Sequence, residues 1–256
     1  MNLKITVLGS GTSSGVPTIG CTCDVCTSAD PRDKRLRPSI LIQRGTSNIV
    51  IDTTPDFRTQ VLRAGIDHLN AVVYTHAHAD HIFGLDDVRP FNFHQRAHIP
   101  IYAHETTFAV IRRVFEYVFD TRERNTTVPK LEVNIVGEEA FDVCGITFEP
   151  IPLLHGEALI HGYRIGNMAY LTDHSAIPEE SMKRLTGLDV LFLDALRHKP
   201  HPTHSTLKQS VETARALGAK RTYFTHMCHD LGHAATEAAL PDGVFLAYDG
   251  LTIETA

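Results

Sequence analysis

Four side chains able to bind metal, His76, His78, Asp80 and His81, fall within six consecutive positions of the stretch Thr75-His76-Ala77-His78-Ala79-Asp80-His81. Solubility alone does not call for such a concentration. Just upstream, Asn70-Ala71-Val72-Val73-Tyr74 is a short apolar run, so the motif sits where a buried strand ends and a loop begins. Residues two apart on an extended backbone point the same way. His76 and His78 can therefore face one ion, while Asp80 and His81, past the turn, serve a second. A solvated histidine-rich loop is the competing explanation, and for a lone histidine it would be the better one. For H-x-H-x-D-H after an apolar strand, we read the floor of a two-metal hydrolytic site.

Length and charge bound the fold around that loop. The chain has 256 residues, 43% hydrophobic and 21% charged, enough to bury one large core in a single compact α/β domain. No Ser/Gly-rich linker, internal repeat or low-complexity segment divides it. The formal net charge of -6 argues against nucleic-acid binding by bulk electrostatics, which needs a basic surface. The apolar run near the N-terminus, Leu3 to Leu8, is too short for a signal peptide, and no stretch approaches the length of a bilayer span. A cytoplasmic protein with no membrane partner is the expectation.

Five cysteines in a reducing compartment do not suggest a disulfide framework. Three of them form Cys21-Thr22-Cys23-Asp24-Val25-Cys26, a tight thiolate turn that could supply three of the four tetrahedral ligands of a structural zinc. Cys144 and Cys228 stand alone and read as packing residues.

Along the chain, Leu3 to Leu8 reads as a first strand, followed by the glycine-rich Gly9-Ser10-Gly11-Thr12-Ser13-Ser14-Gly15-Val16-Pro17. Such a loop can offer N–H groups to a phosphate, but its spacing fits no nucleotide-binding fingerprint, and a turn bordering the site is the plainer reading. Ile40 to Gln43 and Asn48 to Asp52 read as a hairpin. Pro55 to Ala64, with Phe57, Val61 and Leu62 on one face, predicts a helix. Asp52 either orients a metal-binding histidine from behind or caps a turn. The acidic pair and arginine of Gly84-Leu85-Asp86-Asp87-Val88-Arg89 either reach the site or brace the loop. Ile99 to Ala103 reads as a strand, and Thr106 to Phe119 carries Phe108, Ile111, Val114, Phe115, Val118 and Phe119 at helical spacing, ended by polar Arg122-Glu123-Arg124-Asn125.

In the second half, strands end repeatedly in ligand-type residues: Ile146 to Leu154 at His155, Met168 to Leu171 at Thr172-Asp173, Leu188 to Leu193 at Asp194, and Thr222 to Phe224 at Thr225-His226. Each alone could be a satisfied core polar group. Together they suit a sandwich of two sheets, with helices outside and a site along one edge.

The motif and these strand ends resemble the metallo-β-lactamase-fold hydrolase superfamily. The resemblance implies an α/β fold, the αββα sandwich, as one domain over residues 1–256 with a structural-zinc loop at about 20–38. It assigns His76, His78 and His155 to a first divalent ion, Asp80, His81 and His226 to a second, and Asp173 as a bridge between them. Neutral imidazoles would leave the ions strongly Lewis acidic, while one bridging carboxylate would hold them roughly 3.5–4 Å apart. Imidazole and carboxylate suit zinc, manganese or iron, and zinc or manganese is the expectation.

Gly9 through Pro17, the cysteine cluster, the metal loop and Thr225-His226-Met227-Cys228-His229 narrow the resemblance to the PhnP-like cyclic phosphodiesterases, which open phosphoribosyl 1,2-cyclic phosphate. In that group three cysteines and a histidine three residues beyond the last catalytic ligand bind a structural zinc, which implies Cys21, Cys23, Cys26 and His229. The cofactor-synthesis protein PqqB is a related branch with a similar cluster. The resemblance also points to His204 as the acid that protonates a leaving alkoxide, supported by Asp194, with His198 and His201 as competitors. A free imidazole titrates near 6.5, which suits that task. The implied reaction is hydrolysis of a small, cyclic phosphodiester by a metal-bridging hydroxide, with Asp80 and His204 among the catalytic residues. An RNase-Z-like nuclease, a lactam or thioester hydrolase, and a PqqB-like member with little hydrolytic activity are the alternatives. A small-molecule substrate and a homodimer are expected from the resemblance.

Overall fold

The computed structural model describes residues 2–120 and 127–255. The stretch Arg122-Glu123-Arg124-Asn125, expected to end a helix, lies outside the described residues. The first sheet is built from β1 (Lys4–Gly9), β2 (Ser39–Arg44), β3 (Ser47–Ile51), β4 (Ala71–Val73), β5 (Ile99–His104) and β6 (Leu131–Val136). The second holds β7 (Phe141–Val143), β8 (Ile146–His155), β9 (Ala158–Ile165), β10 (Met168–Leu171), β11 (Val190–Asp194), β12 (Arg221–Thr225) and β13 (Val244–Leu246), and β14 (Thr252–Glu254) returns to pair with β1 in the first.

Both sheets divide in the same way. In the first, β14-β1-β2-β3 run antiparallel and β3-β4-β5-β6 parallel. In the second, β7-β8-β9-β10 run antiparallel and β10-β11-β12-β13 parallel. Parallel strands carry their C-terminal ends to one edge, which is where open α/β sheets gather ligands. The residues singled out by the sequence, Asp52, Thr75-His76, Asp173, Asp194 and His226, all lie at or just past such ends.

Strict alternation along the strands makes the layers. Ile40, Ile42, Ile49, Ile51, Ala71, Val73, Val190 and Phe192 face the opposing sheet in one core. Their neighbours Leu41, Val50 and Val72 face outward into a second core beneath helices, and Leu191 and Leu193 into a third. Burial of each large side chain contributes about 1.5–3 kcal/mol. Because both faces of each sheet are covered, the central strands read as continuous Val/Ile/Leu runs. The covering helices are α1 (Asp24–Thr27), α2 (Phe57–Ala64), α3 (Ala79–Ile82), α4 (Arg89–Gln95), α5 (Glu105–Val114) and α6 (Glu116–Phe119), then α7 (Glu179–Lys183), α8 (Leu207–Leu217) and α9 (His233–Glu237). The result is an αββα sandwich. None of these helices is long and apolar enough to cross a membrane.

Three local expectations are corrected. Leu62 is 64% exposed, because it follows Val61 by one residue, a 100° step around the helix. Gln60 takes the buried place instead, its amide bonding Arg37 O and accepting from Thr54 Oγ1. The single helix expected from Thr106 to Phe119 is two, broken at Phe115, whose ψ of 40° leaves the helical region, and Val114 ends up exposed. Cys144, expected to pack, is exposed in the β7–β8 turn. The acidic loop braces its surroundings: Tyr117 Oη donates to Asp86 Oδ1 at 2.6 Å, and Arg89 lies 3.7 Å from Asp86.

Candidate metal centre

The motif loop leaves β4 and turns directly into α3. His76 and His78 stay on the extended segment, while Asp80 and His81 lie on the helix. His76 Nε2 and His78 Nδ1 are 3.1 Å apart. The His155 ring, at the end of β8, lies 5.0 Å from the His78 ring and 5.7 Å from that of His76. A second group converges more tightly: ligand atoms of Asp80, His81, Asp173 and His226, all buried, lie within 4.8 Å of one another. His81 Nε2 is 3.4 Å from Asp80 and 3.3 Å from Asp173; His226 Nε2 is 3.6 Å and 3.0 Å from the same carboxylates. Asp173 also approaches His76 Nε2, at 3.9 Å. The sequence-predicted ligands from four separate segments are thus brought to one edge, with Asp173 between the two groups.

Hydrogen bonds behind the ligands fix which nitrogen faces inward. Thr75 Oγ1 donates to Asp52 Oδ2 at 2.7 Å, so it accepts from His76 Nδ1, 3.0 Å away, and leaves Nε2 with its lone pair. His81 Nδ1 donates to Asp52 Oδ2 at 2.8 Å. His155 Nδ1 donates to the Asp173 carbonyl. Such bonds orient imidazoles toward a metal and raise their basicity. Of the two roles open to Asp52, the geometry has it behind His81. Thr75, the other member of this network, carries no sequence signal of its own beyond preceding the motif.

These side chains fit a divalent cation. Buried His81 Nε2 and both ring nitrogens of His226 have no hydrogen-bond partner, although a buried polar group without one is costly. Burial works to lower the His81 and His226 pKa values, but neighbouring carboxylates win. Asp173, Asp80 and Asp52 hold His81 well above its ordinary value, and Asp173 with Asp80 and Asp194 lifts His226 to about 10. Conversely, burial would raise the Asp80 and Asp173 carboxyls, but His81 and His226 hold both far below the usual range. A field that draws protons this strongly onto imidazoles favours metal ions in their place. His76, by contrast, is pushed well below its ordinary value by burial and by the charge of His81, so it offers a lone pair.

Backbone conformation marks the same place. Asp52, Asp173 and His226 have φ of 66°, 61° and 58°, a left-handed conformation that is uncommon and strained for residues other than glycine. Each ends a parallel strand, and the turn swings its side chain over the sheet edge.

Beyond His226 lies His204, 10% exposed at its side chain, its Nδ1 3.5 Å from Asp194 Oδ1. The His201 ring is 5.1 Å from it. Ser205 N donates to Asp194 Oδ2 at 3.1 Å, and the Ser205 N and Oγ both donate to His174 O. Buried His174 and Ser205 were not apparent as site residues in the sequence; adjacency to Asp173 and His204 was their one signal.

The cysteine cluster folds against the same turn. Cys21, Cys23 and Cys26 Sγ lie 3.2, 3.4 and 3.5 Å from His229 Nδ1. Tetrahedral zinc with Zn–S of about 2.3 Å and Zn–N of about 2.0–2.1 Å requires S···N separations of roughly 3.6 Å, so the four donors fit that ion. The Cys26 backbone N–H is the largest influence bringing the Cys23 thiol down to about 6, while burial pushes Cys26 up to about 11. Arg35, fully buried, ties the loop to the His229 turn by donating to Cys228 O at 3.0 Å and Leu231 O at 2.5 Å, with Asp33 at 3.1 Å neutralising it. Cys228 is not among the four donors.

Comparison with known proteins places this geometry in context. A family model of the β-lactamase superfamily domain matches residues 47–227. A diphosphatase from the PhnP family has a crystal structure that is 55% identical, with a TM-score of 0.94, covering 100% of this chain and 98% of that one. Zinc-bound PqqB from Methylobacterium extorquens is 20% identical with a TM-score of 0.77, covering 98% of this chain and 100% of its own, a likeness of fold. An octanoyltransferase from Porphyromonas gingivalis is 40% identical over 253 residues, covering 97% of this chain but 51% of that protein. The chain spans about half the length of that curated relative.

Proposed function

This chain belongs to the PhnP family of the β-lactamase superfamily, and we propose that it is a metal-dependent phosphodiesterase acting on a small, cyclic phosphodiester such as phosphoribosyl 1,2-cyclic phosphate. The observation that carries the reading is the convergence of Asp80, His81, Asp173 and His226, buried and mutually within 4.8 Å, beside a histidine that is none of them, His204. His76, His78 and His155 would hold one divalent ion, Asp80, His81 and His226 another, and Asp173 both. When bound, two such ions supply Lewis acidity to phosphoryl oxygens and lower the pKa of water.

The chain's own residues do the rest. Asp52 and the Asp173 carbonyl keep His81 and His155 turned inward, and Thr75 does so for His76. Asp194 faces His204 Nδ1, which leaves Nε2 as the atom that carries a proton to the departing oxygen. Phosphoryl transfer needs mainly positioning and charge stabilisation, which this arrangement provides. The 55% identical neighbour is described as a diphosphatase, so cleavage of a diphosphate linkage is a second reading at the same site.

The test is turnover by metal-quantified protein of bis-nitrophenyl phosphate, phosphoribosyl 1,2-cyclic phosphate, 2′,3′-cyclic nucleotides and a dinucleoside diphosphate, with a lactam and a thioester as controls. Preference for the ribosyl cyclic phosphate, lost in Asp80→Ala, is the expected result. Preference for the diphosphate would select the second reading, and turnover confined to the lactam or thioester would overturn both.

A further inference from the structure

A second histidine pair flanks the metal motif without belonging to it. Strands β4 and β5 run parallel with Val73 beside Tyr102, and Tyr74 N donates to Tyr102 O at 2.9 Å. His104 therefore ends β5 level with Thr75, one strand spacing of about 4.8 Å away. From the opposite sheet, His161 N donates to Thr75 O at 3.2 Å. Tyr102 and Tyr163 both pack on the core between the sheets. By the two-residue period, His104 and His161 share that face one step nearer the rim, and their rings meet at 4.9 Å. His161 is 4% exposed, its Nε2 has no hydrogen-bond partner, and Glu138 Oε1 lies 3.9 Å from it. The residue after Thr75 is His76, so the pair borders the site.

Thr106 N donates to His104 Nδ1 at 3.3 Å, with Thr106 Oγ1 2.9 Å from the same nitrogen, so a neutral ring accepting there carries its proton on Nε2 and presents a donor. Glu138, its side chain half exposed beside His161, is an acceptor next to the same histidine pair. A donor and an acceptor close together are what a free sugar hydroxyl requires, since it both gives and takes a hydrogen bond. We infer that His104, backed by His161 and Glu138, is a specificity-determining residue that binds a free sugar hydroxyl of the phosphodiester, an inference that rests on the phosphodiesterase reading.

The experiment compares two esters with the same leaving group, a ribonucleoside 5′-(4-nitrophenyl phosphate) and bis-(4-nitrophenyl) phosphate, with metal content measured for each protein. His104→Ala should lower the preference for the ribosyl ester about 10-fold, chiefly through KM, the loss expected for one hydrogen bond. His104→Gln, which keeps an N–H donor, should recover part of it. Ribose 5-phosphate binding, followed by calorimetry, should weaken about 10-fold in the same variant and gives the comparison without turnover. Equal losses on both esters, or unchanged preference and unchanged ribose phosphate binding, would overturn the inference while the phosphodiesterase reading stood. Wild-type protein that hydrolyses neither ester would count against that reading, and ribose phosphate binding insensitive to His104 would then sink this one as well.

Discussion

The imidazole of His204 lies over that of His226, ring centroids 4.6 Å apart and planes 12° from parallel, and Asp194 Oδ1 is 3.5 Å from Nδ1 of the first and 3.4 Å from Nδ1 of the second. One carboxylate thus faces both the proposed acid and a proposed metal ligand. His204→Ala should cost roughly 10²–10⁴-fold in rate on substrates with an alkoxide leaving group. The loss should be much smaller on a nitrophenolate ester, which departs without a proton. Matched steady-state kinetics on the two ester types decide it, and equal losses would mean that His204 positions His226 instead.

Asp52 is the acceptor that aims His81. Asp52→Asn is the informative change, because asparagine tolerates the left-handed φ of 66° while either orientation of its amide turns an N–H₂ donor toward Thr75 N or toward Thr75 Oγ1 and His81 Nδ1. Metal affinity should fall about 10–100-fold, measured by chelator competition. Unchanged affinity would return Asp52 to the role of a turn carboxylate.

The cysteine cluster makes two separable predictions. Cys23→Ser should release one zinc and lower the melting temperature while leaving the active-site ions mostly bound. In zinc-stripped protein, alkylation should pick out Cys23, whose thiol is brought down to about 6 chiefly by the Cys26 backbone N–H, over Cys26, which burial pushes up to about 11. Cys23 is then mostly thiolate at pH 7, and its labelling should slow as the pH falls through 6. Mass spectrometry of the labelled peptides reads this directly. Equal labelling of both cysteines would argue against the arrangement.

Gly84 tests the loop under the metal helix. A Cβ there would sit 2.0 Å from Thr54 O, and backbone cannot yield as a flexible side chain does. Gly84→Ala should destabilise by about 1–3 kcal/mol and weaken metal binding, because Gly84 N bonds Thr53 O beside Asp52. Denaturant unfolding with and without metal measures both effects. A variant as stable as the parent would show that the two loops are not packed as described.

Much of this was legible in the sequence because the informative spacings are local. H-x-H-x-D-H, the C-x-C-x-x-C turn and strands ending in His155, Asp173, Asp194 and His226 each need only neighbouring residues to be recognised. Other features depend on register. Asp52 could be read two ways until β3 paired with β4 and Thr75 and His81 came onto its carboxylate. His104 and His161 are 57 positions apart by number, and both meet Thr75 only once two sheets are stacked. Leu62 is apolar yet exposed, because helical angle and not apolar character sets which face it occupies. Phe115 broke an otherwise regular period, which no spacing within Thr106 to Phe119 signalled.

His226 ends in the candidate metal-binding cluster and His229, one turn later, at the cysteine cluster, with Met227 between them bonded on both sides to the Ser10–Thr12 loop. That brevity restricts how the family can diverge. Neither insertion nor deletion fits between the two histidines without detaching one of them. A lineage that gives up the four-donor cysteine cluster must do so by replacing side chains at constant length, and the loop from Cys21 to Cys26 would then record the loss as point substitutions, not as a gap.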